Sequence, residues 1–379
     1  MDFQPLTQFL DSLPPRGIPG VDCIVYYRHQ PVYRRSAGFA DRASQKPIAP
    51  HTLYNLYSTS KVITCAAALQ LYEQGKFLLN DPLAEYLPEY KAMQVRHITA
   101  QGTAELRPAV NSIRIEDLFT MSAGMTYIIN SKAIRKVQAE TGGRAPTREV
   151  ARALASEPLI FEPGTHWNYA LCHDVLGALI EVVSGQRFGK YLQDHVFEPI
   201  GMKDTGFERT PERLAQMATQ YRYNEETHFA DEITQDNGYV LGTAYESGGA
   251  GLISSLEDYG LFVDMLSNGG RAASGEKILS RRTIDLMRTN HLDATRLKDF
   301  NWIQMAGYGY GLGVRTMIDK ARGGSESSIG EFGWGGAAGT YAMIDPDCEL
   351  AVFYAQHMLN NMEPYVHPRL RNIVYGCLF

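Results

Sequence analysis

The sequence predicts an α+β fold, with a sheet built from both ends of the chain and a largely helical region inserted between them. Two observations carry this expectation. Strand-like runs bounded by turn residues cluster near the N-terminus and again from about residue 308 onward. The long stretch between them has helical periodicity and many loops, without the regular strand–helix alternation of a doubly wound sheet.

Gly20–Tyr27 and Pro31–Gly38 read as the two strands of a hairpin. A helix from Ser58 to Tyr72 follows, with Gly75 as its stop. Short helices are predicted over Arg114–Met121 and Thr147–Ala155. A clearer one spans Asp174–Ser184, where Val175, Leu176, Leu179, Ile180 and Val183 form one apolar face before Gly185. Gly248–Ser255 is a turn of small residues leading into a helix over Leu256–Leu266, and another helix is expected at Ser280–Met287. Tyr310–Met317, Gly339–Ile344 and Glu349–Tyr354 read as strands, and a last helix begins near Pro364. The expected division is a sheet domain from residues 1–80 and 241–379, and a mainly helical domain at 81–240.

Composition narrows the function. The net charge is −6, from 36 basic and 42 acidic residues, and no basic block is present to follow a phosphate backbone. A nucleic-acid partner is therefore not expected. No apolar run reaches the length of a membrane span, and the first residues lack a basic region followed by an apolar stretch. The expectation is a cytoplasmic protein without a membrane partner. Five cysteines with no repeating spacing read as buried small hydrophobes. Neither His-Glu-x-x-His nor Cys-x-x-Cys occurs, so no metal and no cofactor is expected. Gly-x-Ser-x-Gly is also absent.

Ser58-Thr-Ser-Lys61 is the most informative motif. Positions three apart share a helix face, so the Ser58 hydroxyl and the Lys61 amine should lie one turn apart. A serine hydroxyl becomes a useful nucleophile when an adjacent amine accepts its proton. A second copy of the spacing, Ser274-Gly-Glu-Lys277, lies among glycines and is expected in a loop. Such a nucleophile also needs a proton shuttle and two oxyanion donors. Tyr169, on the turn that follows Pro163-Gly164, is the candidate shuttle, because a neighbouring ammonium favours a phenolate. The flanking His166 and His173 are expected to be packed or solvated. Gly333-Trp-Gly-Gly-Ala337 is the candidate oxyanion segment. Its glycines let backbone approach a ligand, and the Ala337 N–H could pair with that of Ser58.

In this order, Ser58-x-x-Lys61, Tyr169-x-Leu171 and Trp334-Gly335-Gly336 resemble the three boxes of the serine β-lactamase and penicillin-binding-protein superfamily. The chain is most similar to the class C β-lactamase-like branch, and within it to the family VIII carboxylesterases. The resemblance runs from about residue 17 to the C-terminus, and also takes in Phe161–Gly164, Pro199–Gly206, Gly249–Ser255 and Gly307–Gly313. It implies a β-lactamase/transpeptidase-like fold, an antiparallel sheet flanked by helices with an inserted mainly helical domain. It further implies Ser58 as the acylated nucleophile, Lys61 and Tyr169 as the base system, and Ser58 and Ala337 N–H groups as the oxyanion hole. Which of Lys61 and Tyr169 takes the first proton is left open.

The departures from that pattern bear on substrate. Lactamases and peptidases of the superfamily carry Lys or His where this chain has Trp334, and usually Asn where it has Leu171. Indole cannot meet a substrate carboxylate, and leucine cannot bond the amide beside a lactam. Losing both contacts should weaken lactam recognition by about 2–5 kcal/mol. Leu171, Trp334, Gly335 and Gly336 are thus expected to line an apolar pocket for a small uncharged or short-acyl ester. Acyl transfer on the same machinery, a lactamase or D-amino-acid peptidase, and an inactive ligand-binding homologue are the alternatives. The natural ester and the oligomeric state are not specified by the sequence.

Overall fold

A computed structural model describes every position except Ala100, Gln235 and Phe379, none of which is an expected site residue. Among the described residues the main sheet has eight strands: β1 (Gly20–Tyr27), β2 (Gln30–Asp41), β3 (Lys46–Pro47), β4 (Tyr308–Tyr310), β5 (Arg315–Met317), β6 (Phe332–Gly333), β7 (Tyr341–Asp345) and β8 (Leu350–Gln356). Their spatial order is β4-β5-β6-β7-β8-β1-β2-β3, and every neighbouring pair is antiparallel. β8 joins the two ends of the chain by pairing with β1, from Val21 opposite Gln356 to Tyr27 opposite Leu350. The sheet expected from both termini is therefore present.

Helices α1 (Gln4–Asp11), α2 (Ser60–Glu73), α3 (Cys172–Ser184), α4 (Leu256–Ser267) and α5 (Glu363–Leu378) frame the sheet and the site. Strand periodicity decides which of them meet which face. Val21, Cys23 and Val25 of β1 point into a core with Leu6 and Leu10 of α1 and Val366, Leu370 and Val374 of α5. Ile24 and Tyr26 point the other way, into the larger core that holds Tyr259, Phe262, Val263 and Leu266 of α4. α2 is different in kind. It is enclosed on all sides, and each residue from Ser60 to Leu69 is buried, as expected of a helix at the centre of a core.

Several elements differ from the sequence reading. Tyr310–Met317 is not one strand. Gly311 and Gly313 turn the chain between β4 and β5, and Gly313 takes a left-handed φ of 83°. A Cβ there would lie 2.2 Å from Cys65 Sγ, so α2 and this turn touch with no room for a side chain. α1 was not expected, although Leu6 and Leu10 stand four apart after Pro5. The 81–240 segment is not helical throughout. It holds hairpins at Gln94–Ile98 with Ala104–Pro108 and at Tyr221–Asn224 with Phe229–Glu232.

Candidate active site

Ser58 sits in a 3₁₀ turn, Tyr57–Thr59, that runs directly into α2, where an α-helical turn was expected. Three residues per turn keep Ser58 and Lys61 on one side. The Lys61 amine lies 3.2 Å from Ser58 Oγ. Tyr57, just before the nucleophile, holds a left-handed φ of 46°, a conformation costly for a bulky side chain. Edge contact with Tyr239, at 6.1 Å between ring centres, helps to hold it. Ser58 is half-buried, whereas Lys61 is fully buried.

Among the described residues the buried amine is satisfied without a carboxylate in contact. Lys61 Nζ donates to Gly249 O at 2.7 Å and to the Tyr127 hydroxyl at 3.3 Å, besides Ser58. The Gly248–Gly249 turn is fastened to α2 a second time, by Thr64 Oγ1 donating to Gly248 O at 2.7 Å. Behind it lies Asp174, at the start of α3 and 3% exposed. Its Oδ1 accepts from Ser247 Oγ at 2.6 Å, Tyr245 OH at 2.7 Å and Gly249 N at 3.4 Å. Asp174 Oδ2 has no partner among the described residues. A Cβ on Gly249 would stand 2.5 Å from this oxygen and 3.4 Å from Lys61 Nζ, so the glycine leaves carboxylate and amine facing the same small space.

Tyr169 reaches the site through a backbone zip. Residues 160–171 lie along 121–126, with Ile160 N on Gly124 O, Gly164 N on Ser122 O, Asn168 N on Met121 O and Leu171 N on Thr126 O. Gly164 makes the expected turn, with φ 82°. Tyr169 is half-buried and turns its ring face to Lys61, with Nζ 4.7 Å from the ring centre. Its hydroxyl does not bond Ser58 or Lys61. It accepts instead from the Trp334 indole N–H at 3.2 Å.

Trp334 is 2% exposed and follows β6. It belongs to an aromatic cluster with Tyr169, Phe300, Trp302, Tyr310 and Trp167. Gly336 is pressed against the nucleophile turn. A Cβ on it would meet Leu56 O at 2.4 Å and Thr340 Oγ1 at 2.1 Å. Gly335 is looser, with its nearest neighbour at 3.6 Å. Ala337 is exposed, and among the described residues its N–H donates to no protein group. Asn361 Nδ2 pins the carbonyls of Gly336 and Ala337 from behind, at 3.1 and 2.9 Å. Leu171 is 3% exposed at the head of α3, a packed wall with no polar atom in its side chain.

The two histidines that flank Tyr169 stand apart from this chemistry. His166 is half-exposed and pairs with Asp299 at 3.0 Å. His173 is buried, and burial with the nearby Lys61 charge pushes its pKa down to about 3. Ser274 and Lys277 lie exposed in a surface loop, as expected of the second Ser-x-x-Lys copy. No group of three or more His, Cys, Asp or Glu among the described residues is placed to hold a metal ion. Tyr127 was missed by the sequence reading. Nothing in Met125-Thr-Tyr127 marks it, and only the pairing of two distant segments brings it beside Lys61.

The beta-lactamase family profile matches residues 6–374. The chain belongs to the beta-lactamase family. This beta-lactamase-family chain is 29% identical over 366 residues to esterase EstB of Burkholderia gladioli, covering 91% of this chain and 87% of that one. It is 25% identical to monacolin J acid methylbutanoyltransferase of Aspergillus terreus, covering 97% and 92%. The solved structure of EstCE1, described as a hydrolase with promiscuous acyltransferase activity, superposes with a TM-score of 0.79 at 26% identity, covering 98% of this chain and 99% of that one. The family fold is thus that of serine hydrolases with both esterase and acyltransferase members.

Proposed function

We propose that this protein is a serine carboxylesterase that forms an acyl-serine intermediate on small uncharged or short-acyl esters. The observation that carries the reading is the fully buried Lys61 Nζ held 3.2 Å from Ser58 Oγ. Ser58 attacks the ester carbonyl, and its proton passes to Lys61. The N–H groups of Ser58 and Ala337 hold the oxyanion. Tyr169, fixed by the Trp334 indole, supports the proton transfers, and water then cleaves the acyl-enzyme. The aromatic rings packed on Trp334 favour an uncharged substrate, because an indole at this position offers no charge to a carboxylate. The 29% identity to an esterase supports the same class.

Acyl transfer to an alcohol is the second reading, favoured by the methylbutanoyltransferase relative. Both use one acyl-enzyme and differ in the acceptor. We place the enzyme in the cytoplasm; among the described residues no helix is long and apolar enough to cross a membrane. The test is hydrolysis of p-nitrophenyl acetate, butyrate and octanoate beside nitrocefin, with Ser58→Ala as control and alcohols added in parallel. Fast short-chain ester cleavage, lost in Ser58→Ala while the fold persists, is expected. Turnover of nitrocefin faster than of the esters would overturn the esterase reading. Ester products formed from added alcohols at the expense of free acid would favour acyl transfer.

A further inference from the structure

Two phenols flank the buried lysine, and they are engaged differently. Tyr169 shows Lys61 its ring face and gives its oxygen to the Trp334 N–H. Tyr127 also has Lys61 Nζ over its ring, 5.3 Å from the centre, but it offers its oxygen to the amine as well. Its ring lies parallel to that of Tyr169, at 5.3 Å and 16°, and is met edge-on by Tyr239 at 5.4 Å. Its oxygen accepts from Lys61 Nζ at 3.3 Å, the same amine that lies 3.2 Å from Ser58 Oγ. One amine therefore links the nucleophile to a hydroxyl, and the hydroxyl is that of Tyr127.

We propose that Tyr127 is a further catalytic residue, the acid that protonates the departing alcohol during acylation. The inference rests on the esterase reading of the same site. The hydrogen-bond inventory dictates the direction of proton flow. Gly249 O is an acceptor only, so one Lys61 N–H always points to it. A neutral amine keeps one further N–H for the Tyr127 oxygen and a lone pair for the Ser58 hydroxyl. In acylation the Ser58 O–H bond breaks, the Oγ–carbonyl carbon bond forms, and the proton goes to Lys61. When the carbon–alkoxide bond breaks, the alkoxide takes the phenolic proton of Tyr127. The Tyr127 oxygen regains a proton from the Lys61 ammonium across the hydrogen bond already present. Lys61 ends neutral, Tyr127 ends as a phenol, and the alcohol leaves whole. Burial, with Tyr169, Asp174 and Tyr239 nearby, pushes the Tyr127 phenol well above the ordinary range. That suits a group which begins and ends each turnover protonated, rather than a resident base.

The leaving group supplies the test. p-Nitrophenolate departs without a proton, whereas the ethoxide of ethyl acetate cannot. Tyr127→Phe keeps both ring contacts and removes only the hydroxyl. We expect its kcat/KM for ethyl acetate to fall about a hundredfold or more, and that for p-nitrophenyl acetate to fall less than tenfold. Tyr169→Phe should depress both esters to a similar extent. Equal losses on the two esters in Tyr127→Phe, or no loss on ethyl acetate, would overturn the proposal. If Tyr127→Phe folds poorly by its melting curve, 3,5-difluorotyrosine at position 127 preserves the hydroxyl and the packing. Its more acidic phenol should move the alkaline limb of the ethyl acetate profile to lower pH, and an unmoved limb would count against the role. Failure of the esterase reading would look different: the unmodified enzyme would show no Ser58-dependent turnover of either ester.

Discussion

Gly336→Ala probes the seam between the nucleophile turn and the segment after β6. The added methyl would sit 2.4 Å from Leu56 O and 2.1 Å from Thr340 Oγ1. Ordinary contact begins at 3.4 Å, so the seam must open by about 1 Å. Neither neighbour gives way easily. Leu56 O is backbone two residues before Ser58, and accepts from Thr59 Oγ1 at 2.8 Å and Thr340 Oγ1 at 2.9 Å. Thr340 O in turn takes the Gly336 N–H at 2.7 Å. Overpacking of this kind costs about 1–3 kcal/mol of stability. A 1 Å shift of the Ala337 N–H relative to Ser58 costs about a hundredfold in rate. The assay is kcat/KM on p-nitrophenyl butyrate with a melting curve on the same preparation. Gly376→Ala is the control, since its Cβ meets nothing within 4 Å and α5 is simply stiffened there, by about 0.5–1 kcal/mol. We expect Gly336→Ala to fold, to melt a few degrees lower, and to lose about two orders of magnitude in kcat/KM. Activity within threefold of the unmodified enzyme, at an unchanged melting temperature, would show that the seam is not tight and would refute the reasoning.

Three further changes follow from the same structure. Trp334→Phe keeps an aromatic ring and deletes the N–H that holds the Tyr169 hydroxyl; kcat/KM should fall about tenfold with little change in melting temperature, and steady-state kinetics checks it. Asp174→Ala orphans the Ser247 hydroxyl, the Tyr245 hydroxyl and the Gly249 N–H together; urea titration should register a loss of roughly 3 kcal/mol, and a loss under 1 kcal/mol would contradict the network. His173 predicts acid sensitivity. Its folded pKa of about 3 lies below the ordinary 6.5, so its stabilising contribution is complete above pH 6.5 and is lost as pH falls toward 3. At pH 5, about 2 kcal/mol should have gone, and His173→Gln should flatten that slope in urea titrations between pH 7.5 and 5.

The part of the site that was legible in the sequence is the part built by local geometry. Ser58 and Lys61 are joined by a single turn, so their spacing alone puts the amine beside the hydroxyl. Gly336 was expected to let the backbone approach a ligand; the neighbour that excludes a side chain there is the protein's own Leu56 O. What stayed hidden depends on contacts distant in sequence. Tyr127 meets Lys61 only because residues 121–126 lie along 160–171, and no periodicity in either segment encodes that pairing. Asp174 reads as an ordinary acidic residue in the first turn of a helix, yet it supports Gly249, seventy-five positions away. In the sheet, Tyr310–Met317 passed for one strand because Gly311 and Gly313 fit an alternating pattern. The contacts that force the turn come from Met287 and Cys65, far along the chain.

The aromatic cluster also makes the enzyme its own optical sensor. The chain has three tryptophans, and all of them lie in that cluster: Trp167 is 5.4 Å from Trp302, and Trp302 is 6.2 Å from Trp334. Tyr169 touches each of the three rings. Intrinsic indole emission therefore comes from one patch beside Ser58 and from nowhere else in the molecule. Quenching by iodide or acrylamide will report how open that patch is. On the proposed esterase reading, a stopped-flow emission trace, with no label attached, is expected to follow ester binding and acyl-enzyme turnover in real time.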